Sequence, residues 1–286
     1  MKILLDTDPG SDIDDAIAMA YLARRPDCEL LGVTTVTGDV NKRAAIAEIV
    51  MRAFGREDVP IAAGAPRVLL YGPGQPEVPH YEFISHLPHR LNRPENAAVD
   101  LLREKIRENP GEVTLLTIGP LTNAATLLLV DPGIVGLIKQ VVSMAGWFHF
   151  KPEKNRKGSE WNALCDPLAS AIFFERCTCP LTVIPLDVTG HCRLNEEEFK
   201  AKFTGSPKDL ILGMAKRWFE WSDAVTFHDP LACAVAFRPE LCTYRTGNVD
   251  ATNHKGYTTV QGQGPDLVAA TVDVEAFFDE YFSVVE

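Results

Sequence analysis

The chain has 286 residues, of which 46% are hydrophobic and 23% charged, as in ordinary globular proteins. It carries 28 lysines and arginines against 39 aspartates and glutamates, which gives a formal net charge of −11. This balance argues against a protein that follows nucleic-acid phosphates or adheres to an anionic membrane. Glycine and proline are scattered, so collagen-like and low-complexity chains are excluded as well.

Neither an export signal nor a membrane span is indicated. No run of eighteen apolar residues occurs, and acidic residues begin at Asp6, too early for a secretory signal peptide. The seven cysteines are dispersed, apart from Cys177 and Cys179, and none forms a zinc-binding CxxC pair. We therefore expect a cytoplasmic protein whose thiols are reduced and mostly buried.

Apolar strands and amphipathic helices alternate along most of the chain. In chain order, the pattern predicts strands at 2–8, 30–38, 113–119, 138–146 and 181–189, and helices at 14–25, 43–55, 98–109, 122–130 and 166–177. This alternation predicts an α/β fold with an open, mostly parallel, doubly wound sheet and helices on both faces. Because no repeat or linker interrupts it, we expect a single domain over residues 1–286.

Two segments break the alternation. The stretch from Arg67 to Asn96 is rich in proline and carries His80, His86 and His89, so it predicts a long surface loop. The stretch at 148–159 predicts a second, locally basic loop.

Five carboxylates fall within ten residues where the first strand gives way to the first helix: Asp6, Asp8, Asp12, Asp14 and Asp15. Ligands bind at the carboxyl ends of the strands in an open α/β sheet. So many acids at one place repel each other unless a cation lies among them, and hard divalent cations prefer carboxylate oxygens. The cluster therefore predicts a metal site.

A plainer interpretation is that Asp12 or Asp14 caps the helix while the other acids face water. A cap accounts for one or two acids, but not for Asp6 and Asp8 at the end of an apolar strand. An EF-hand is excluded, because counting from Asp6 or Asp8 finds no glycine at the sixth loop position and no glutamate at the twelfth.

Four motifs follow one another along the chain: DTDPGSDIDDA at 6–16, TIGPLTNAA at 117–125, EWNALCDP at 160–167 and FHDPLA at 227–232. Together they resemble the inosine-uridine-preferring nucleoside hydrolase family. DTDPGSDIDDA resembles the family's N-terminal signature, and TIGPLTNAA at 117–125 resembles its Gly-Pro-Leu-Thr-Asn segment. EWNALCDP at 160–167 and FHDPLA at 227–232 resemble its Glu-Phe-Asn and His-Asp-Pro segments. The C-terminal YTTVQ and VDVEAFF stretches also look like the family's last strand and helix, so the resemblance spans nearly the whole chain.

The resemblance implies a tightly held calcium ion at the carboxyl ends of the strands. Its ligands would be Asp8, Asp15, Asp229 and the main-chain carbonyl of Ile118, with a water and the ribose 2′- and 3′-hydroxyls completing the shell. Asp6 would lie behind these ligands and orient them.

The resemblance also implies hydrolysis of the N-glycosidic bond of ribonucleosides, which gives ribose and a free base. Asp8 would take a proton from the water that attacks C1′, and neighbouring carboxylates would stabilise the cationic sugar. His228 would protonate or shield the departing base. Glu160 and Asn162 would hydrogen-bond the sugar.

Several positions depart from the family pattern. Two extra residues leave open whether Asp12 or Asp14 holds the ribose hydroxyls, with Asp14 favoured because it directly precedes the implied ligand. Asp39 stands where the family commonly has asparagine, and Met144 begins a Met-Ala-Gly in place of Met-Gly-Gly. HFKPEKNRKGS replaces the family's Gly-Asn-x-Thr-Pro, and its Asn155 is a candidate sugar or base contact. We count these as substrate contacts and expect base specificity to differ.

Two other functions compete with this hypothesis. A haloacid-dehalogenase-like phosphatase also ends its first strand in Asp-x-Asp, but the chain lacks a convincing downstream acidic pair for Mg²⁺. A calcium-dependent ribose- or nucleoside-binding protein with weak catalysis is the third alternative. For partners, we expect a small ribonucleoside, no nucleic acid and no membrane, and the resemblance implies a homodimer or homotetramer.

Overall fold

The structure, a computed structural model, describes residues 1–150, 158–253 and 255–286. Its strands are β1 (Lys2–Thr7), β2 (Glu29–Thr35), β3 (Ile61–Ala63), β4 (Val113–Thr117), β5 (Ile138–Met144), β6 (Leu181–Ile184), β7 (Arg193–Asn195), β8 (Ala224–Thr226), β9 (Cys242–Asp250) and β10 (Thr259–Val272). Its helices are α1 (Asp14–Arg24), α2 (Val40–Ala53), α3 (Tyr81–Ile84), α4 (Ala98–Glu108), α5 (Thr122–Val130), α6 (Trp161–Cys165), α7 (Pro167–Arg176), α8 (Leu186–Thr189), α9 (Glu196–Lys202), α10 (Lys208–Trp218), α11 (His228–Phe237) and α12 (Val274–Val285). Among these ranges, no helix combines the length and the apolar character needed to cross a membrane.

Eight strands form one sheet in the order β3-β2-β1-β4-β5-β6-β10-β9, and β7 pairs with β8 apart from it. Neighbours in the large sheet are parallel except β9, which runs antiparallel to β10 at one edge. From β1, the next two strands, β2 and β3, are added on one side, and β4 then pairs with the other side of β1. The strand order therefore reverses between β1 and β4, which is where ligands bind in such sheets.

Successive residues of β1 pack against opposite faces of the sheet. Ile3 and Leu5 belong to an apolar cluster that includes α1, α2, α11 and α12, whereas Leu4 belongs to a second cluster with α4, α5 and α7. Both faces of the central strand are thus covered by helices, which explains why β1 is apolar at consecutive positions. The predicted doubly wound α/β fold is confirmed.

The predicted strand at 181–189 is wrong in its second half. β6 ends at Ile184, and after Pro185 the chain turns into the short helix α8. Proline has no backbone N–H to donate to a neighbouring strand, so the ladder stops there even though the following residues are apolar. This change of direction carries Thr189 toward the carboxyl ends of the strands.

Candidate active site

The loop from β1 to α1 brings carboxylates to the point where the strand order reverses. Asp8 directly follows β1, and its backbone N–H donates to Oδ1 of Asp15 at 3.0 Å, which also accepts from the hydroxyl of Thr7. Asp14 and Asp15 form the first turn of α1. Asp229, in the first turn of α11, donates its backbone N–H to Oδ2 of Asp14 at 3.2 Å. Two helix N-termini therefore meet over the end of β1.

Carboxylate oxygens of Asp14, Asp15 and Asp229 all lie within 4.8 Å of one another. The three residues are 3%, 3% and 4% exposed. Burial raises the pKa of Asp14 and of Asp229 well above the ordinary value, and the neighbouring carboxylates raise both further. Charge repulsion in so dry a place is relieved by a cation, and an all-oxygen set suits a hard divalent ion such as Ca²⁺ or Mg²⁺.

The two other implied metal ligands lie beside this triad. Asp8 lines the same cavity as the triad, although its carboxylate is not part of the group of mutually close oxygens. Burial, together with the charge of Asp15, raises the pKa of Asp8. The carbonyl of Ile118, just after β4, accepts a hydrogen bond from Nδ2 of Asn162 at 2.9 Å. A carbonyl oxygen has a second lone pair, so this bond leaves Ile118 able to bind a cation.

A cavity of about 490 Å³ opens above these carboxylates, within the size range of small-molecule sites. The predicted site residues that line it are Asp8, Asp12, Asp14, Asp15, Ile118, Met144, Glu160, Asn162, His228 and Asp229. Other lining residues are Ser11, Gln75, Ser159, Trp161, Leu186 and Trp218. Residues from all four sequence motifs, together with Met144, thus converge on one concave surface.

Glu160 and Asn162 are committed to the backbone around the cavity. Glu160 caps α6, with its carboxylate accepting from Asn162 N at 2.6 Å, Ala163 N at 2.9 Å and Gly146 N at 3.0 Å. Nδ2 of Asn162 donates to the carbonyls of Ile118 and Met144. These bonds fasten the end of β5 to α6, and a sugar contact would use the lone pairs that remain.

His228 begins α11, one residue before Asp229. Its Nδ1 lies 2.7 Å from Oγ1 of the buried Thr189. Burial, helped by the positive charge of Arg193, lowers the pKa of His228 to about 4. The imidazole is therefore neutral near pH 7, and when the Thr189 hydroxyl donates to Nδ1, the ring proton sits on Nε2.

Asp6 lies behind the cavity wall. Its Oδ1 accepts from the Thr34 hydroxyl at 2.6 Å and from Nδ2 of Asn123 at 2.8 Å, while Oδ2 has no partner in the described part of the chain. Burial raises the pKa of Asp6 to about 7. This placement behind Asp8 suits a supporting carboxylate.

Asp39, a predicted substrate contact among the described residues, does not line the cavity. Asp39 caps α2 by accepting from Lys42 N at 3.0 Å, and its carboxylate pairs with the Lys42 ammonium at 3.1 Å. Asn155 lies outside the described residues.

Three residues in or around the cavity were not predicted from the sequence. Arg43 is fully buried behind the wall, and the signal for it was a charged residue on the inward face of α2, between Val40 and Ala47. Trp218 lines the cavity from α10 with its Nε1 donating to the Ala224 carbonyl at 2.8 Å. Thr189 could not be expected from a segment that was predicted to be a strand.

Comparison with known proteins agrees with this geometry. The family model described as inosine-uridine preferring nucleoside hydrolase matches residues 3–279. Uridine nucleosidase 1 of Arabidopsis thaliana is 31% identical, with 97% of this chain and 91% of the relative covered. The non-specific ribonucleoside hydrolase RihC of Salmonella newport is also 31% identical, covering 97% and 95%.

Solved structures give the same result. A plant nucleoside hydrolase superposes with a TM-score of 0.83 at 25% identity, covering 99% of this chain and 98% of that one. A purine-preferring ribonucleoside hydrolase from Gardnerella vaginalis has the same TM-score and identity, covering 100% and 98%. The resemblance carried by the four sequence motifs is confirmed.

Proposed function

The chain belongs to the inosine-uridine preferring nucleoside hydrolase family, whose reaction is hydrolysis of a ribonucleoside, and we propose that it performs this reaction with Ca²⁺ held by its buried carboxylates. One observation carries the metal proposal: carboxylate oxygens of Asp14, Asp15 and Asp229 converge within 4.8 Å at the strand-order reversal. The proposed calcium ligands are Asp15 and Asp229 of this group, together with Asp8 and the carbonyl of Ile118, which line the same cavity.

The donor set supports a hard cation on chemical grounds. The close group consists of carboxylates, and the Ile118 carbonyl adds another oxygen, as calcium prefers. When bound, the ion would hold and acidify a water and would attract the ribose 2′- and 3′-hydroxyls. Either Asp12 or Asp14 would accept a hydrogen bond from one of these hydroxyls, and Asp14 is favoured because its oxygens lie within the cluster.

The protein groups around the cavity suit a reaction that builds positive charge on the sugar. As the N-glycosidic bond breaks, C1′ becomes oxocarbenium-like, and fixed carboxylates stabilise that cation. Asp8 would accept the proton of the attacking water, since its carboxylate lines the cavity beside the proposed ion. Glu160, Asn162 and Met144 would border the sugar from the β5 side.

His228 would act on the departing base. As a neutral imidazole with its proton on Nε2, it would donate a hydrogen bond to the base while negative charge develops there. Such a donor suits bases that spread negative charge onto ring carbonyl oxygens, as uracil does. It suits less well a base that must gain a full proton before it leaves.

We place the base beside Trp161 and Trp218, the two tryptophans that line the cavity. Aromatic faces stack on flat rings and tolerate several bases. We propose uridine as a substrate, in keeping with the neutral His228 and with relatives named uridine nucleosidases. That Asp39 shapes base preference stays a prediction. Its position at the start of α2 does not support it.

We propose a cytoplasmic homodimer or homotetramer. The seven cysteines are all free thiols, as expected in a reducing compartment. Light scattering of the purified protein would give the oligomeric state.

A purified-protein assay for reducing sugar tests the proposed reaction. Release of ribose from uridine at a higher kcat/KM than from adenosine is expected. Turnover of p-nitrophenyl phosphate without ribose release would favour the phosphatase, and saturable uridine binding without ribose release would favour a binding protein. Elemental analysis of protein prepared without chelators should find about one calcium per chain.

A further inference from the structure

Arg43 is a fully buried cation that lies directly behind the wall of the cavity. It is not itself a lining residue, but its Nη1 lies 4.0 Å from Oδ2 of Asp8. Burying an arginine is costly unless its donors are all engaged, and an apolar side chain on this face of α2 would avoid the cost. The groups that its donors bind therefore explain why an arginine lies there.

The guanidinium joins three separate segments through their backbone carbonyls. Nη1 donates to the carbonyl of Asp8 and to that of Pro9 at 3.1 Å, and Nε donates to the carbonyl of Thr37 at 2.8 Å. Nη2 donates to the carbonyls of Gln75 at 2.7 Å and Glu77 at 3.4 Å. The planar fork of arginine is what allows one side chain to bind in so many directions.

These contacts connect two cavity-lining residues to each other through Arg43. Asp8 and Gln75 both line the cavity, yet they are far apart in sequence, and β1 and the 67–96 loop do not form a sheet ladder with each other. Thr37 has a φ of 63°, a left-handed conformation that a β-branched residue rarely adopts, and its hydroxyl accepts from Gln75 N at 2.9 Å. Arg43 binds the carbonyl of this strained residue as well.

We propose that Arg43 is a positioning residue for the hydrolytic reaction, fixing Asp8 and Gln75 relative to each other by bridging the three segments. The proposal rests on the role proposed above for Asp8. A displacement of about 1 Å at a reacting group can lower a rate about 100-fold, and loss of support behind a metal site typically costs about 10- to 100-fold in affinity or activity.

The test compares Arg43→Met and Arg43→Lys with Arg25→Met, measured below the melting temperature of each variant and at saturating calcium. Arg25 is a matched control, because it is also mostly buried and binds Glu280 but lies away from the cavity. We expect kcat for uridine to fall about 10- to 100-fold in Arg43→Met, with a smaller change in KM. Arg25→Met should lower the melting temperature and leave kcat unchanged.

Arg43→Lys separates bridging from charge alone. Lysine keeps the positive charge, but its single ammonium cannot reach three segments, so kcat should stay about tenfold or more below wild type. Full kcat in folded Arg43→Lys, or wild-type kcat in folded Arg43→Met, would overturn the proposal. Titration calorimetry measures calcium binding by wild type independently of these kinetic outcomes. A wild type that binds no calcium would contradict the proposed metal site but not the proposed role of Arg43.

Discussion

The hydroxyl of Thr189 lies 2.7 Å from Nδ1 of His228, and it joins the short helix after β6 to the first residue of α11. The contact holds the imidazole by one edge and leaves Nε2 without a hydrogen bond in the described part of the chain. Because burial lowers the pKa of His228 to about 4, the group is a neutral hydrogen-bond donor at physiological pH.

Replacing His228 with alanine should lower kcat for uridine by about 10²- to 10³-fold, or roughly 3–4 kcal/mol of transition-state stabilisation, as for the loss of one donor to a developing negative charge. With p-nitrophenyl riboside, whose leaving group departs without help, the loss should be far smaller. Steady-state kinetics on both substrates measure this, with calcium content as the control. Equal losses on the two substrates would mean that His228 positions the sugar instead.

The Thr189→Val substitution keeps the size of the side chain but removes the partner of Nδ1. The ring should then sample both tautomers and rotate more freely, so kcat for uridine should fall by about 5- to 10-fold, as expected for one hydrogen bond of about 1 kcal/mol. In the His228→Ala background the same substitution should have little further effect. Additive losses in the double variant would show that Thr189 acts independently of His228.

Trp218→Ala should raise KM for uridine about 3- to 10-fold, because a stacked aromatic contact contributes about 0.5–1.5 kcal/mol. Trp221 supplies a matched control, since it lies near Trp218 at 51% exposure but does not line the cavity. Steady-state kinetics should therefore show Trp221→Ala at the wild-type KM. If Trp218→Ala and Trp221→Ala had the same KM for uridine, this would contradict a base position beside Trp218.

The metal-free protein should become less stable as Asp6 loses its proton. Burial raises the pKa of Asp6 to about 7 from 3.8, so the folded state binds more protons than the unfolded state between those values. Its contribution to the free energy of unfolding therefore falls as pH rises from about 4 to about 7. The buried His80 and His228 act in the opposite direction, because their pKa values are lowered to about 4.

Comparison with Asp6→Asn isolates the contribution of that carboxyl group. Urea unfolding of the two metal-free proteins from pH 5 to pH 8 should give a stability difference that shifts in favour of the variant as pH rises. A difference that does not vary with pH would show that Asp6 titrates alike in the folded and unfolded chains.

The framework of the site could be predicted from the sequence because its signals are local. Asp8 and Asp15 flank a short loop between an apolar strand and an amphipathic helix, and that arrangement alone carries acids to the carboxyl end of the sheet. The His-Asp-Pro motif placed Asp229 beside them through family resemblance. All three line the observed cavity.

The other features of the site depend on tertiary contacts, which a local sequence pattern does not determine. Thr189 reaches His228 only because the chain turns at Pro185, and an apolar run does not distinguish a strand from a short helix. Trp218 lies on a helix whose place over the cavity follows from packing. Asp39 shows the converse, since its role as a helix cap is local and could have been expected.

The central claim is that buried carboxylates hold a calcium ion on which ribonucleoside hydrolysis depends. The most direct test measures ribose release from uridine by wild type and Asp229→Asn after chelation and again after calcium is restored. Wild type should lose its activity and regain it, whereas Asp229→Asn should need a calcium concentration about 10- to 100-fold higher or stay inactive. Unchanged ribose release from chelated wild type, or from Asp229→Asn without added calcium, would contradict it.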